Sequence, residues 1–294
     1  MNMDNGDNKN EARRKTKQYD ELNDAEKSAF DQILEDLHIK RNVDFRQYRY
    51  KCMCRRILVR MHDNHMDSIE DYLKFLRGHS SEYDRLLEVI TINVSEFFRN
   101  PETFSAVRNK VIPELLEKKK KEHARIIKVW SAGCATGEEP YSISIMLKEI
   151  LREYDNYFTP IIYATDIDDE ALAKARAGMY ANSALKELTP AQISTYFTKL
   201  DDDLFRIKPE IKAIVKFSKH NMISDAPLKS IDIVFCRNVL IYFNKALQKK
   251  VYENFFTALY RGGYVVAGKV ETMIGIADHM YDRVDVAERI FRKP

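Results

Sequence analysis

Residues 130–144 read WSAGCATGEEPYSIS. A short apolar run, IIKVW at 126–130, precedes this segment, and a helical pattern over 140–151 follows it, so the segment is a strand-to-helix turn built of small residues. Such a turn lets a ligand approach the backbone and sets helix-start N–H groups beside it. The G-C-A-T-G spacing is not the dinucleotide pattern GxGxxG. Glu138 and Glu139 stand where a phosphate binder would carry neutral or basic groups. A pyrophosphate is therefore disfavoured and a ligand bearing an ammonium is favoured. An ordinary tight turn would have the same composition, so a second element is needed.

The next apolar run, IIYAT at 161–165, ends in the acidic stretch DIDD, with Asp166 at its carboxyl tip. In an open parallel sheet that tip faces the ligand crevice, where an acid accepts from the paired hydroxyls of a ribose. Asp is also a good helix cap, and alone the signal is weak. Joined to the first loop it describes a nucleoside with a cationic tail. S-adenosylmethionine (SAM) fits that description and NAD does not.

The elements that must position these residues fall into two textures. Residues 23–92 are helical throughout. Asn23 or Asp24 caps a first helix to about His38, and a second spans about 45–62. Ser68 caps a third that Gly78 ends, and Ser80 or Ser81 opens a fourth,. Beyond Asn100, short apolar strands (126–130, 161–165, 213–217, 231–236 and 264–268) alternate with helices, which predicts a mostly parallel sheet covered on both faces,. Residues 289–291 are expected as a last edge strand. Residues 180–211 break the alternation and are a candidate insertion. The lysine run Lys118–Lys121 reads as a solvated helix end,.

Composition narrows the classes. With 45% hydrophobic residues among 294, the chain is not mostly disordered, and 48 Lys+Arg against 45 Asp+Glu exclude a uniformly basic nucleic-acid coat,. The four cysteines form no CxxC pair and no zinc spacing, so no metal is expected; Cys134 and Cys236 read as small apolar fillers,. The polar start, MNMDNGDNKNEARRKTK, lacks the apolar core of a signal peptide, and no apolar run approaches the roughly 20 residues of a membrane helix,. A soluble, cytoplasmic chain with no membrane insertion, an 18-residue disordered tail and a monomeric state is expected. The charge is not evenly spread: residues 41–62 hold seven cations against Asp44 alone, while the whole chain carries only +3.

Four motifs, in order, resemble the chemotaxis receptor glutamate methyltransferase family (CheR). NVSEFFRN (93–100) is similar to its N-x-T-x-FFR linker, with Ser95 in place of the usual Thr. WSAGCATGEEPYS matches its first glycine loop, ATDIDDEALAKARAGMY (164–180) its second-strand motif, and FCRNVLIYF (235–243) its post-strand motif. The resemblance covers roughly residues 22–268. It implies an α/β fold: a Rossmann-like class I SAM-dependent methyltransferase domain (106–294) with a small β-subdomain inserted at about 180–212. An all-α receptor-docking domain (19–92) and a linker contributing to the active site (93–105) precede it. Some members recognise a receptor's C-terminal pentapeptide through a glycine-bearing loop of the subdomain. Here that loop reads TKLDDDLFRIKPE, without glycine, which suggests a pentapeptide-independent enzyme. Lys269 and Val270 replace residues of the family's GHSE pattern.

The implied reaction moves the methyl of SAM to glutamate carboxylates on the cytoplasmic helical domains of chemotaxis receptors, leaving S-adenosylhomocysteine. Glutamate is already ionised near neutral pH, so no general base is needed. Arg99, whose fork suits a carboxylate, and Tyr242 are the expected catalytic residues. The resemblance carries Asn93, Ser95, Arg99, Glu138, Asp166, Asn221, Met222, Arg237 and Asn238 to the cofactor; Glu138 and Glu139 can exchange roles. Arg46, Arg49, Arg55, Arg56 and Arg60 of the second helix are expected to dock acidic receptor helices. Two rivals remain. A nucleic-acid amino methyltransferase would carry an N/D-P-P-Y/F motif where CRNVLIYF stands. A SAM-binding sensor or docking module without activity would bind and not transfer.

Overall fold

A computed structural model of the chain describes residues 19–91, 95–271, 273, 275, 277 and 279–294; the expected tail and Asn93 lie outside them. The chain divides into two units, Met1–Ile92 and Asn93–Pro294. Among the described residues no helix is long and apolar enough to cross a membrane.

Among the described residues the first unit has a short 3-10 turn (Tyr19–Glu21) and four α-helices. Asn23 starts α1 (Asp24–Arg41) through a capping box with Glu26, which satisfies two of the backbone donors that a helix start leaves open. Phe30, Ile33, Leu34 and Leu37 form its buried stripe. Next come α2 (Tyr50–Asp63), α3 (Ile69–Gly78), capped by Ser68, and α4 (Ser80–Ile90). α2 starts later than its apolar pattern predicts. Asp44 accepts from the backbone and side chain of Arg46, and Phe45 packs edge-on against Tyr48, so residues 44–48 make a turn. Between these helices lies a polar centre. The buried Glu82 carboxylate receives two bonds from Arg60, at 2.6 and 2.7 Å, and others from Tyr72 and Asn64.

The second unit opens with α5 (Pro101–Ala106), a π-helical turn (Val107–Val111) and α6 (Ile112–Lys121). There follow β1 (Ile126–Ala132), α7 (Glu138–Leu151), β2 (Thr159–Asp166) and α8 (Asp169–Ala177). β3 (Met179–Ala181), α9 (Pro190–Tyr196), β4 (Phe197–Lys199), β5 (Leu204–Ile207) and α10 (Pro209–Lys212) form the irregular stretch. β6 (Val215–Lys219), β7 (Ile231–Cys236), α11 (Lys245–Ala258), β8 (Leu259–Ala267), β9 (Asp282–Asp285) and β10 (Ile290–Arg292) complete the unit.

The main sheet has the order β6-β2-β1-β7-β8-β10-β9. The first five of these are parallel, and β10 is antiparallel to both its neighbours. This is the Rossmann-like α/β arrangement expected. The chain builds outward from β1 to β6, then crosses to β7 on the other side, so the switch point lies between the carboxyl ends of β1 and β7. That is where an open parallel sheet leaves a crevice for a ligand. β3, β5 and β4 form a separate antiparallel sheet, with Tyr180 opposite Phe205.

Two expectations need correction. The terminal strand is not an edge: β9, with the polar sequence DRVD, pairs outside β10. The lysine run is not wholly solvated. Lys119 is buried and pairs at 2.7 Å with Asp232, near the start of the fully buried β7.

Candidate cofactor and substrate site

The turn after β1 is drawn over the tip of β2. The N–H groups of Gly133 and Cys134 both donate to the carbonyl of Thr165, at 2.8 and 3.0 Å. Gly133 (φ 77°) and Gly137 (φ 98°) hold left-handed conformations. A Cβ on Gly133 would lie 2.6 Å from the Val239 side chain, and one on Gly137 2.9 Å from both Ala175 and the Tyr180 hydroxyl. The small residues seen in the sequence are thus required by both conformation and space.

Asp166 is buried at the tip of β2. Its carboxylate accepts from the N–H of Ala135 (2.9 Å) and of Asp168 (3.0 Å), one bond per oxygen. Each oxygen keeps acceptor capacity for a further hydroxyl. Burial raises the Asp166 pKa above 3.8, against the pull of these N–H groups.

Glu138 and Glu139 differ in their partners. Glu139 accepts from the Ser131 hydroxyl at 2.7 Å and faces Arg237 at 3.6 Å. Glu138 is held by hydroxyls and its own backbone N–H, with no cation: Thr136 donates at 2.8–2.9 Å, and Ser95 also reaches it. Burial raises both pKa values above 4.5; the Arg237 charge opposes this at Glu139, whereas only hydrogen bonds oppose it at Glu138. A buried carboxylate without a cation is costly, so Glu138 is the one that suits an incoming ammonium.

The linker is fixed from several sides. Phe97 is buried edge-on against Tyr180 and Phe197, and its N–H donates to the Ala184 carbonyl. Phe98, at φ 50°, donates its N–H to the Ser142 hydroxyl at 2.9 Å. Arg237, expected at the cofactor, donates to the carbonyl of Arg99 at 2.6 Å and to the Asn100 side chain at 2.9 Å. Its guanidinium also lies 5.4 Å from the Phe104 ring centre. In this structure Arg237 therefore pins the strap that carries Arg99. Arg99 is half-buried and close enough to Glu139 to act on its charge.

After β7, Asn238 takes φ 62° and buries its side-chain oxygen with no hydrogen-bond partner among the described residues. Tyr242 is half-buried at the end of the 3-10 turn Leu240–Tyr242. After β6, the His220 N–H donates to the Asp166 carbonyl, which seats the following turn beside the β2 tip. Asn221 does not present a free amide oxygen; it caps that turn by accepting from Ile223 and Ser224. The buried Met222 side chain lies against the Gly133 backbone, and its carbonyl accepts from Asn254.

Ser131, Tyr180, Gln248 and Glu271 also build the site and were not singled out from the sequence. Ser131 signals itself as a hydroxyl at the end of an apolar strand, Glu271 as an acid just past one. Lys269 pairs with Glu102 and Glu288, at 3.1 and 3.4 Å, so it braces α5 to the loop before β10. Cys134 and Cys236 are buried free thiols whose pKa burial pushes well up, which makes them fillers and not nucleophiles,.

The basic face of α2 is smaller than its sequence suggests. Arg60 is committed to Glu82, and Arg46 is held by Asp44 and Glu35. Arg60 is thereby drawn into the polar centre and away from the expected docking face, whereas Arg46, in the turn before α2, stays exposed beside its two acids. Arg49 and Arg55 are exposed and Arg56 is half-exposed. Arg55 and Arg56 have no ion pair among the described residues.

A crevice with a glycine turn, a buried acid at the β2 tip, an unneutralised glutamate and an orphaned amide oxygen fits a nucleoside with an amino-acid tail. The family models and the sequence relatives agree. Residues 93–288 match the family model "CheR methyltransferase, SAM binding domain", and residues 28–91 match "CheR methyltransferase, all-alpha domain". A chemotaxis protein methyltransferase of Listeria monocytogenes is 33% identical over 82% of this chain and 89% of its own length. A 104.1 kDa protein of Rhodobacter capsulatus is 32% identical over 89% of this chain, which spans only 27% of that protein. The N-methyltransferase NodS of Bradyrhizobium japonicum, solved with S-adenosylhomocysteine, is 13% identical over 68% of this chain and 89% of that one, with a TM-score of 0.39. The chain belongs to the CheR methyltransferase family and takes S-adenosylmethionine as its cofactor.

Proposed function

We propose that this chain esterifies glutamate side chains on the cytoplasmic helical domains of chemotaxis receptors, without requiring a receptor pentapeptide. The observation that carries the reading is the pinned strap. Arg99 is held beside the crevice by Arg237 and by the packing of Phe97, and its fork suits a carboxylate substrate,. When bound, the cofactor supplies a sulfonium-activated methyl group. Asp166 would hold the ribose hydroxyls, Glu138 the ammonium, and Asn238 and Met222 the remaining polar and apolar surface. A glutamate substrate is already anionic, so the protein orients and dries the reactants and has no proton to remove. Tyr242, at the end of the turn after β7, would line the substrate side.

The family membership and the name of the Listeria relative support the chemotaxis setting. The β4–β5 turn, Lys199 to Leu204, carries three aspartates and no glycine, and Lys199 pairs with Asp202 across it. This supports pentapeptide independence. Arg49, Arg55 and Arg56 form the proposed docking face for acidic receptor helices.

The test is transfer of labelled methyl from SAM to receptor cytoplasmic fragments, with and without the C-terminal pentapeptide. Protein-bound label that base releases as methanol, equal on both fragments and lost in Arg99→Ala, is expected. Label on nucleic acid, or cofactor binding without transfer to any fragment, overturns the reading.

A further inference from the structure

Past the end of β8 stands a buried acid that the reaction above does not use. Glu271 is 3% exposed. Its Oε1 accepts from the N–H of Leu240 at 2.8 Å and its Oε2 from the N–H of Gly268 at 2.6 Å. The N–H groups of Asn238 and Val239 also act on the carboxylate. Among the described residues no cation forms an ion pair with it; backbone donors hold its charge, and the Arg237 charge acts on it only at longer range. Gly268 makes the approach possible: a Cβ there would lie 2.8 Å from the Asn238 nitrogen and 2.9 Å from Glu271 Oε2. The other side of the same turn is held by Gln248 of α11, whose amide donates to the carbonyls of Leu240 (2.7 Å) and Phe243 (3.1 Å).

The turn so held is not idle. It begins with Arg237, which pins Arg99, includes the left-handed Asn238 with its orphaned oxygen, and ends at Tyr242. A non-glycine residue at positive φ persists only where its surroundings over-determine it. We infer that Glu271 is a positioning residue: its carboxylate gathers the N–H groups of residues 238–240, and with Gln248 it sets the placement of Asn238 and Tyr242 for cofactor and substrate. Glu271→Gln keeps the shape but turns one acceptor into a donor facing backbone N–H groups, so the latch opens on that side.

The inference rests on the proposed roles of Asn238 and Tyr242, and its test does not need a receptor. In the ligand-free full chain, hydrogen exchange at the amides of 238–240 is expected to speed up at least tenfold in Glu271→Gln, with the amides of β1 and β2 unchanged. Titration calorimetry is expected to show SAM binding weakened about tenfold or more. A lowered melting temperature with both exchange and SAM affinity unchanged would make Glu271 a stability residue only and overturn the inference. Should Glu271→Gln fail to fold, Gln248→Met reads the same latch from the carbonyl side, with the same two outcomes. Failure of the wild type to methylate receptor fragments would remove the receptor assignment while leaving these two measurements intact.

Discussion

Replacing Arg237 by methionine separates what this residue does for stability from what it does for the reaction. Arg237 is 6% exposed, donates to Arg99 and Asn100, and faces the largely buried Glu139 at 3.6 Å. Methionine fills much of the volume but leaves Glu139 with the Ser131 hydroxyl and the weaker charge effect of Arg99. Removing one partner of a buried pair costs about 3–5 kcal/mol, because the other charge stays behind. In a unit of about 200 residues, each kcal/mol corresponds to about 2–4 °C, so the melting temperature should fall by about 6–20 °C. Adding Glu139→Gln removes the orphaned charge and should restore most of that loss. The strap carrying Arg99 remains unpinned in the double variant, so methyl transfer should stay down by about 10²-fold, the scale of a small misplacement of a reacting group. Calorimetric melting and labelled-methyl turnover on the same preparations read the two effects. Turnover that returns together with stability in the double variant would refute the positioning role.

Three further outcomes are expected. Burial raises the Glu138 pKa above 4.5 in the free protein, so the folded state holds more protons there than the unfolded chain. Relative to Glu138→Gln, the wild type should lose stability as pH rises through the window above 4.5 and gain SAM affinity over the same window; parallel pH curves for the two proteins would count against an ammonium site. Arg55→Glu with Arg56→Glu should raise the apparent KM for receptor fragments and leave the SAM Kd unchanged, whereas Arg60→Ala should lower the melting temperature of the first unit by stranding Glu82; the opposite assignment of effects would refute the reading of α2. Lys119→Met should destabilise the second unit by about 3–5 kcal/mol in denaturant unfolding, and pairing it with Asp232→Asn should recover most of this; equal losses in both would exclude a charge effect.

The parts of the fold legible in the sequence are those that follow from local chemistry. Caps at Asn23 and Ser68, the apolar stripe of α1 and the continuous apolar runs of β1 and β7 each follow from a backbone or burial rule acting over a few residues,. β9 was not legible: Asp282–Asp285 is polar and half-exposed, and becomes a strand only because β10 offers it an edge. The start of α2 is not legible either: Phe45 continues the apolar period, while the Asp44–Arg46 bonds hold the chain in a turn. In the site, glycine and acid positions were visible by type. What each acid meets was not, since Ser131, Thr136 and Arg237 reach Glu138 and Glu139 through tertiary contacts.

The same distinction governs the charges. Counted along the chain, residues 41–62 form a run of seven cations against one acid. Folding pairs Arg41 with Asp84, Arg46 with Asp44 and Glu35, Lys51 with Asp20, and Arg60 with Glu82, all within the first unit. Exposed pairs contribute little stability, but each still cancels a charge that an approaching helix would feel. Arg55 and Arg56 carry no ion pair among the described residues, so the field available to a partner is strongest over a patch about one turn long rather than along a whole helix. A patch that small steers weakly beyond a Debye length of about 10 Å at 0.1 M salt. It therefore fits a contact that must form and release repeatedly better than a permanent complex, and the KM of the double charge reversal should respond to salt far less steeply than that of the wild type.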